Sequence, residues 1–316
     1  MEPITHMIFG LGIATLSGHD LTLTNPVYIA SIAGAIAPDL DILFRVGGEL
    51  TYLKHHRKTT HSFLSVLFIT AIIPLCINMF IPLESFWETF FGAFGGCISH
   101  VFLDLLNSYG VKLLWPFSRK SFSLNLLLLY DPIIIMLSLI MFFARNLGSF
   151  IMYTTTAIFV IYLGMRYYFR QRIHRYLTCK YRHKKTIKIV IMPSLISLFD
   201  WDFLIETQKQ VFVGSIKTLS KEFNLKRKLK KHSKNMLIKL AMKTRLASIF
   251  KEFTPYFHID YFKKDGKHYV KFFDLRYCQN KEFLHSATAI FDQKLKLVEA
   301  VFHPFSVNRK IKLSPQ

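Results

Sequence analysis

Residues 86–107 read FWETFFGAFGGCISHVFLDLLN. The apolar run Phe86–Leu106 meets the requirement of about 20 residues for a helix that crosses a bilayer. Its final third nevertheless carries Ser99, His100 and Asp104. An ionisable side chain at mid-bilayer costs about 2.5–3.5 kcal/mol on insertion scales, so such residues stand for a function. His100 and Asp104 are i and i+4, which puts them on one helix face about one turn apart.

Similar runs lie on both sides. Ile4–Leu16, Pro26–Phe44, Ser62–Ile81, Leu126–Ala144 and Phe150–Tyr168 are the other candidate spans, the first of them short. Met1-Glu2-Pro3 lacks the basic leader of a cleavable signal peptide, and no small-residue cleavage site follows. Across the 316 residues, 51% are hydrophobic and mean hydropathy is +0.28, yet the net charge is +21. That composition excludes a disordered chain and argues against an ordinary soluble enzyme. The two properties separate along the chain: residues 1–169 hold 9 basic and 9 acidic residues, and 170–316 hold 32 and 11. We therefore expect a transmembrane metal-site domain over 1–169 and a basic cytosolic domain over 170–316. Cys76, Cys97, Cys179 and Cys278 form no CxxC pair, so neither a disulfide framework nor a zinc ribbon is indicated. A tail made in a reducing compartment follows.

Lys and Arg stay on the cytoplasmic side. With six spans and an internal N-terminus, the internal loops hold Arg45, Lys54, Arg57, Lys58, Lys112, Arg119 and Lys120, and the external loops hold only Arg145. The expected protein is thus a multi-pass component of the cytoplasmic (inner) membrane with its C-terminal domain in the cytoplasm. After Tyr168 the pattern changes to short alternating runs. Lys185–Met192, Asp202–Thr207, Gln210–Ile216, Tyr256–Phe262, His268–Asp274, Ala287–Phe291 and Lys294–Phe302 read as strands, with Asp265-Gly266 as a hairpin turn. Leu219–Phe250 reads as one or two basic helices. The expected fold is an all-α polytopic membrane domain of about five or six helices followed by a small α+β cytosolic domain.

The ionisable residues of the apolar half gather in a few places. Thr5-His6 starts span one, Pro38-Asp39-Leu40-Asp41 lies near the end of span two, and His55–Ser62 precedes span three. His100 and Asp104 lie late in span four, and Tyr130-Asp131-Pro132 early in span five. Even-numbered spans end, and odd-numbered spans begin, at the cytoplasmic face, so every group falls on that side. Asp39 and Asp41 share a side only where the helix has ended, as Pro38 suggests. Imidazoles and carboxylates without a nearby cysteine suit zinc first, with manganese or iron as alternatives. A proton or ion pathway is the competing reading, but it would spread ionisable residues over several depths.

The ordered series Thr5-His6-x-x-x-Gly10, Pro38-Asp39-Leu40-Asp41, His56-Arg57-x-x-Thr60-His61-Ser62 and Gly96-x-x-Ser99-His100-x-x-x-Asp104 resembles the YdjM-type family of membrane-bound metal-dependent hydrolases, also described as LexA-binding, inner-membrane-associated hydrolases. Tyr109-Gly110-Val111 and Leu114-Trp115-Pro116-Phe117 continue it, and Phe199-Asp200-Trp201 and Asp274-Leu275-Arg276-Tyr277 match its longer members. Lys58-Thr59 departs from the glycine that often follows His-Arg in the family. The resemblance implies a metal-dependent hydrolase without naming its substrate.

Together these readings give one or two divalent metal ions on His6, Asp39, Asp41, His56, His61, His100 and Asp104, with Asp41, Arg57 and Asp131 as catalytic groups. Arg57 reads either as a holder of phosphate or carboxylate or as a topology-setting charge. The first expected substrate is an ester or phosphoester of a lipid or lipid-linked molecule at the cytoplasmic leaflet. A non-enzymatic membrane protein with a structural metal and a partner-recruiting or surface-sensing basic tail is the alternative. Membrane lipid is the expected partner, with anionic headgroups at the Lys226–His232 run; no recognition motif accompanies that charge, so nucleic acid is set aside.

Overall fold

The structure is a computed structural model that describes residues 3–18, 22, 24–48, 51–52, 58–143, 149–220, 222–232, 235–279, 281–304 and 309–313. The chain divides into two compact units, Met1–Tyr168 and Phe169–Gln316.

The first unit is helical: α1 (Pro3–Ala14), α2 (Pro26–Ile36), α3 (Phe63–Asn78), α4 (Phe86–Leu106), α5 (Pro132–Phe143) and the first part of α6 (Ser149–Lys180). Among the described residues, three helical stretches, Pro26–Gly47, Phe86–Leu106 and Phe150–Lys180, are long and apolar enough to cross a membrane; Pro3–Ser17, Phe63–Asn78 and Pro132–Phe143 are apolar but shorter. Polar side chains satisfy the free N–H groups at the helix starts. Asn25 accepts from Val27 N ahead of α2, Ser62 from Ser65 N ahead of α3, and Ser85 from Glu88 N ahead of α4. Pro38 follows the last α-helical turn of α2, and the chain continues as a tighter 3₁₀ segment, Ala37–Gly47.

Close packing of α2 on α4 frames the site. A Cβ on Gly34 would collide with the Ala93 carbonyl, and one on Gly96 with the Ser31 carbonyl, so glycine lets the two backbones touch. Ser31 Oγ donates to Gly10 O at 2.9 Å, which ties α1 to the same pair.

Two expected spans have other limits. Leu126 and Leu127 donate their N–H groups to Leu106 O, at 2.7 and 3.0 Å. That buried, non-helical segment is tied to the end of α4, and the fifth helix starts only at Pro132. The sixth helix continues past Tyr168 to Lys180, because Ile173 and Leu177 with Tyr181 just beyond it pack on Trp201, Phe203 and Phe212 of the second unit's own core.

In the second unit β1 (Thr186–Pro193), β2 (Asp200–Thr207), β3 (Gln210–Lys217) and β4 (Phe223–Lys230) form an antiparallel meander. After α7 (Met236–Ala241) and α8 (Arg245–Phe253) come β5 (Phe257–Lys264), β6 (Lys267–Asp274), the short pair β7 (Cys278–Gln279) and β8 (Glu282–Phe283), then β9 (Ser286–Phe291), β10 (Leu297–His303) and β11 (Ile311–Leu313). The five-stranded sheet is ordered β11-β10-β9-β6-β5. Apolar residues cover both faces of the first sheet. Trp201, Phe203 and Ile205 meet α6, while Leu204, Val211 and Val213 meet Leu275 and Phe283. Strands buried on both faces read as continuous apolar runs, as 203–205 does.

The expected helices over Leu219–Phe250 are replaced in part by β4. Its inward residues are Phe223 and Leu229, and it closes a sheet edge studded with Lys226, Arg227 and Lys228, a placement that discourages edge-to-edge pairing. Lys226 Nζ reaches Asp202 Oδ1 at 2.6 Å, an ion pair that a helical reading of the charge run does not provide. The Asp265-Gly266 turn joins β5 to β6 with both residues at positive φ, 49° and 71°.

Candidate metal centre

Among the described residues, five ionisable side chains from four segments converge in the first unit. α1 supplies His6, the 3₁₀ segment after α2 supplies Asp39, the turn before α3 supplies His61, and α4 supplies His100 and Asp104. His61 Nε2 lies 3.1 Å from His100 Nε2. Asp39 Oδ1 is 3.8 Å from His61 Nε2 and 3.6 Å from His100 Nε2. Asp104 Oδ2 is 3.5 Å from His61 Nε2 and 4.0 Å from His100 Nε2, and Asp104 Oδ1 is 3.4 Å from His6 Nε2. The His6 ring stacks on His100 with centroids 3.7 Å apart.

The geometry of His100 fixes its tautomer. Nδ1 lies 2.7 Å from the Ala35 carbonyl oxygen, which only accepts, so Nδ1 carries the proton and Nε2 presents its lone pair to the cluster. On the other side Asn107 Nδ2 donates to Asp104 Oδ1 at 2.9 Å, while Asn107 Oδ1 accepts from Tyr109 N and Gly110 N. His61 Nδ1 is held 3.1 Å from Thr60 Oγ1. These are the outer contacts that orient metal ligands. His6, His61, His100 and Asp104 have no exposed side-chain surface, and Asp39 keeps 15%.

The donor set fits a divalent cation. Atoms about 2.0–2.1 Å from a tetrahedral ion lie about 3.3 Å from one another, close to the spacing found here. The buried carboxylate of Asp104 and the partly exposed one of Asp39 also leave negative charge that such an ion neutralises. The donors form two overlapping groups, His6/Asp39/His100 and His61/His100/Asp104, with His100 common to both.

The other expected site residues lie differently. Asp41 is buried two residues beyond Asp39 and belongs to neither group. His56 and Arg57 lie outside the described residues. Asp131 caps α5, accepting from Ile133 N and Ile134 N at 3.2 and 3.4 Å, and takes a 2.8 Å hydrogen bond from Tyr162 Oη. Nearby, the buried Arg166 donates from Nε to Leu126 O at 2.8 Å. Sequence reasoning passed over Arg166, although it is the one charge in the Phe150–Tyr168 run, and a charge in an apolar run is the signal that found His100.

No solved structure matches the chain. The uncharacterized protein YfhP of Bacillus subtilis (strain 168) is 31% identical over 223 residues, covering 68% of this chain and 68% of its own length. Residues 236–312 match the YfhP C-terminal alpha/beta plait domain. Residues 1–173, the stretch that holds all five donors, match the YdjM inner membrane protein model, and the chain belongs to that family.

Proposed function

We propose that the chain is a multi-pass hydrolase of the cytoplasmic membrane that works with a divalent metal ion at the cytoplasmic leaflet. The observation that supports this best is the convergence of His61 Nε2 and the His100 Nε2 lone pair, 3.1 Å apart, with Asp39 and Asp104 beside them. His6, Asp39, His61, His100 and Asp104 hold the ion, zinc by donor type, with manganese or iron as alternatives. A bound ion would supply Lewis acidity to an ester or phosphoester oxygen and lower the pKa of a water. Asp39, the donor that keeps exposed surface, marks the side from which substrate arrives. Asp41, on the same 3₁₀ segment, is assigned to take the proton, and Arg57, four residues ahead of His61 in the sequence, to hold the anionic group. Asp131 has its carboxylate engaged by Tyr162 and the start of α5, so it is assigned to positioning that helix.

The same charge pattern supports an internal N-terminus, six crossings including the shorter helices, and a cytoplasmic second unit. Its basic face, with the Lys226–His232 run, is assigned to anionic headgroups. The near-complete burial of four donors favours a second reading, a closed structural metal in a non-enzymatic protein. One assay separates the two. The purified chain, loaded with zinc or manganese, is incubated with phospholipids, lipid-linked phosphoesters and simple esters, and released phosphate and acyl groups are measured. Turnover abolished in His61→Ala supports the hydrolase. Full metal occupancy with no turnover on any of them supports the structural reading.

A further inference from the structure

We propose that the end of the first sheet carrying the β1–β2 and β3–β4 loops is a wedge that inserts into the interfacial zone of the bilayer. The two loops lie side by side: Asp200 pairs with Lys217, Pro193 with Trp201, and Thr218 N donates to Phe199 O at 2.8 Å. On them three large apolar side chains point away from both cores. Ile196 is 79% exposed, Phe199 66% and Leu219 73%. Neighbouring strand residues such as Trp201, Phe203 and Ile216 are buried, so the loops had apolar contacts within reach and do not use them. Apolar side chains clustered at adjoining loop tips mark an interaction site.

The choice of bilayer over a protein partner rests on where the chain enters this unit. Arg170, its second residue, donates from Nε to Ile191 O at 3.4 Å, two residues before the end of β1. The chain therefore enters at the same end of the sheet as the two loops. Immediately before that point the sequence is the apolar run of α6 followed by Tyr167-Tyr168, and immediately after it come Arg170 and Arg172. Paired aromatic and basic residues at the end of an apolar span mark the membrane–water interface. The exposed tips thus lie at the end of this unit that receives the chain from its apolar helix, and Arg170 and Arg172 add the positive charge that anionic lipid attracts. The proposal rests on the chain's membrane association and not on the metal centre.

The test uses the full chain with the exposed thiols removed (Cys76→Ser, Cys179→Ser). Single cysteines replace Ile196, Leu219 or, as a control, Lys209 in the β2–β3 turn at the opposite end of the same sheet. Each is labelled with an environment-sensitive fluorophore and reconstituted in phosphatidylcholine–phosphatidylglycerol vesicles. Labels at 196 and 219 should shift to the blue and be quenched by doxyl-labelled lipid, while the label at 209 stays water-like and is quenched by iodide. Equal iodide quenching at all three positions overturns the proposal. A blue shift that appears only as the protein-to-lipid ratio rises also overturns it, since a second copy then covers the tips.

Discussion

Two of the candidate donors, His100 and Asp104, are each held by a neighbour that carries no charge. His100 presents its Nε2 lone pair because the Ala35 carbonyl takes the Nδ1 proton, and Asp104 is steered by Asn107. Outer contacts of this kind typically change metal affinity tenfold to a hundredfold. Asn107→Ala should therefore weaken metal binding by roughly that factor while leaving the number of ions at saturation unchanged. Competition with a calibrated chelator measures it, and wild-type affinity in the variant removes Asn107 from the account. His100, Asp104, His6, Asp39 and His61 were legible in the sequence because each is an ionisable residue in or beside an apolar run. The Ala35 carbonyl was not, since a backbone acceptor has no sequence signature. Asp131 was legible as a group out of place, but its hydrogen bond from Tyr162 was not, because only the fold brings the two together.

Among the elements, α2 and α4 frame the site, and their separation is set by Gly34 and Gly96. Gly96→Ala drives a Cβ into the Ser31 carbonyl, backbone that cannot step aside as a side chain would. Overpacking of this sort costs about 1–3 kcal/mol. The variant should melt earlier in detergent and lose metal, whereas Gly164→Ala on α6, where an added Cβ meets nothing within 4 Å, should match or exceed the parent. Equal melting of Gly96→Ala and the parent would contradict the close approach. Helix ends were less legible than helices. Pro38 announced the end of α2, but the Leu126–Leu128 segment, with the composition of a span, is not helical and is held by the last carbonyl of α4. The β4 strand escaped notice because its lysines outnumber its inward residues, and only cross-strand partners such as Asp202 give that charge its place.

Over the whole molecule the two units should answer differently to pH and to topology probes. In the second unit burial pushes His258 and His285 down to about 4 from the ordinary 6.5, against the opposing pull of Asp260 and Asp274. The unfolded chain then binds more protons between these values. Stability is full above about 6.5, falls as pH drops through it and levels off below about 4, a loss of about 2 kcal/mol per histidine by pH 5. Urea midpoints read by Trp201 fluorescence, with Trp87 and Trp115 replaced by phenylalanine, should fall accordingly, and His258→Gln should flatten the slope. An unchanged midpoint from pH 7 to 5 would show that these rings are solvated. If the proposed topology holds, cysteines placed at Lys58 and Lys120 resist a membrane-impermeant thiol reagent outside intact cells; labelling from outside would invert it. The central claim is that segments far apart in the chain close on one metal site, and metal content of the purified protein by mass spectrometry tests it most directly. His100→Ala and Asp104→Ala should each lose metal, while Ser99→Ala, whose hydroxyl bonds back to Gly96 O at 2.7 Å, should keep it. Full retention of metal in both His100→Ala and Asp104→Ala would contradict the site.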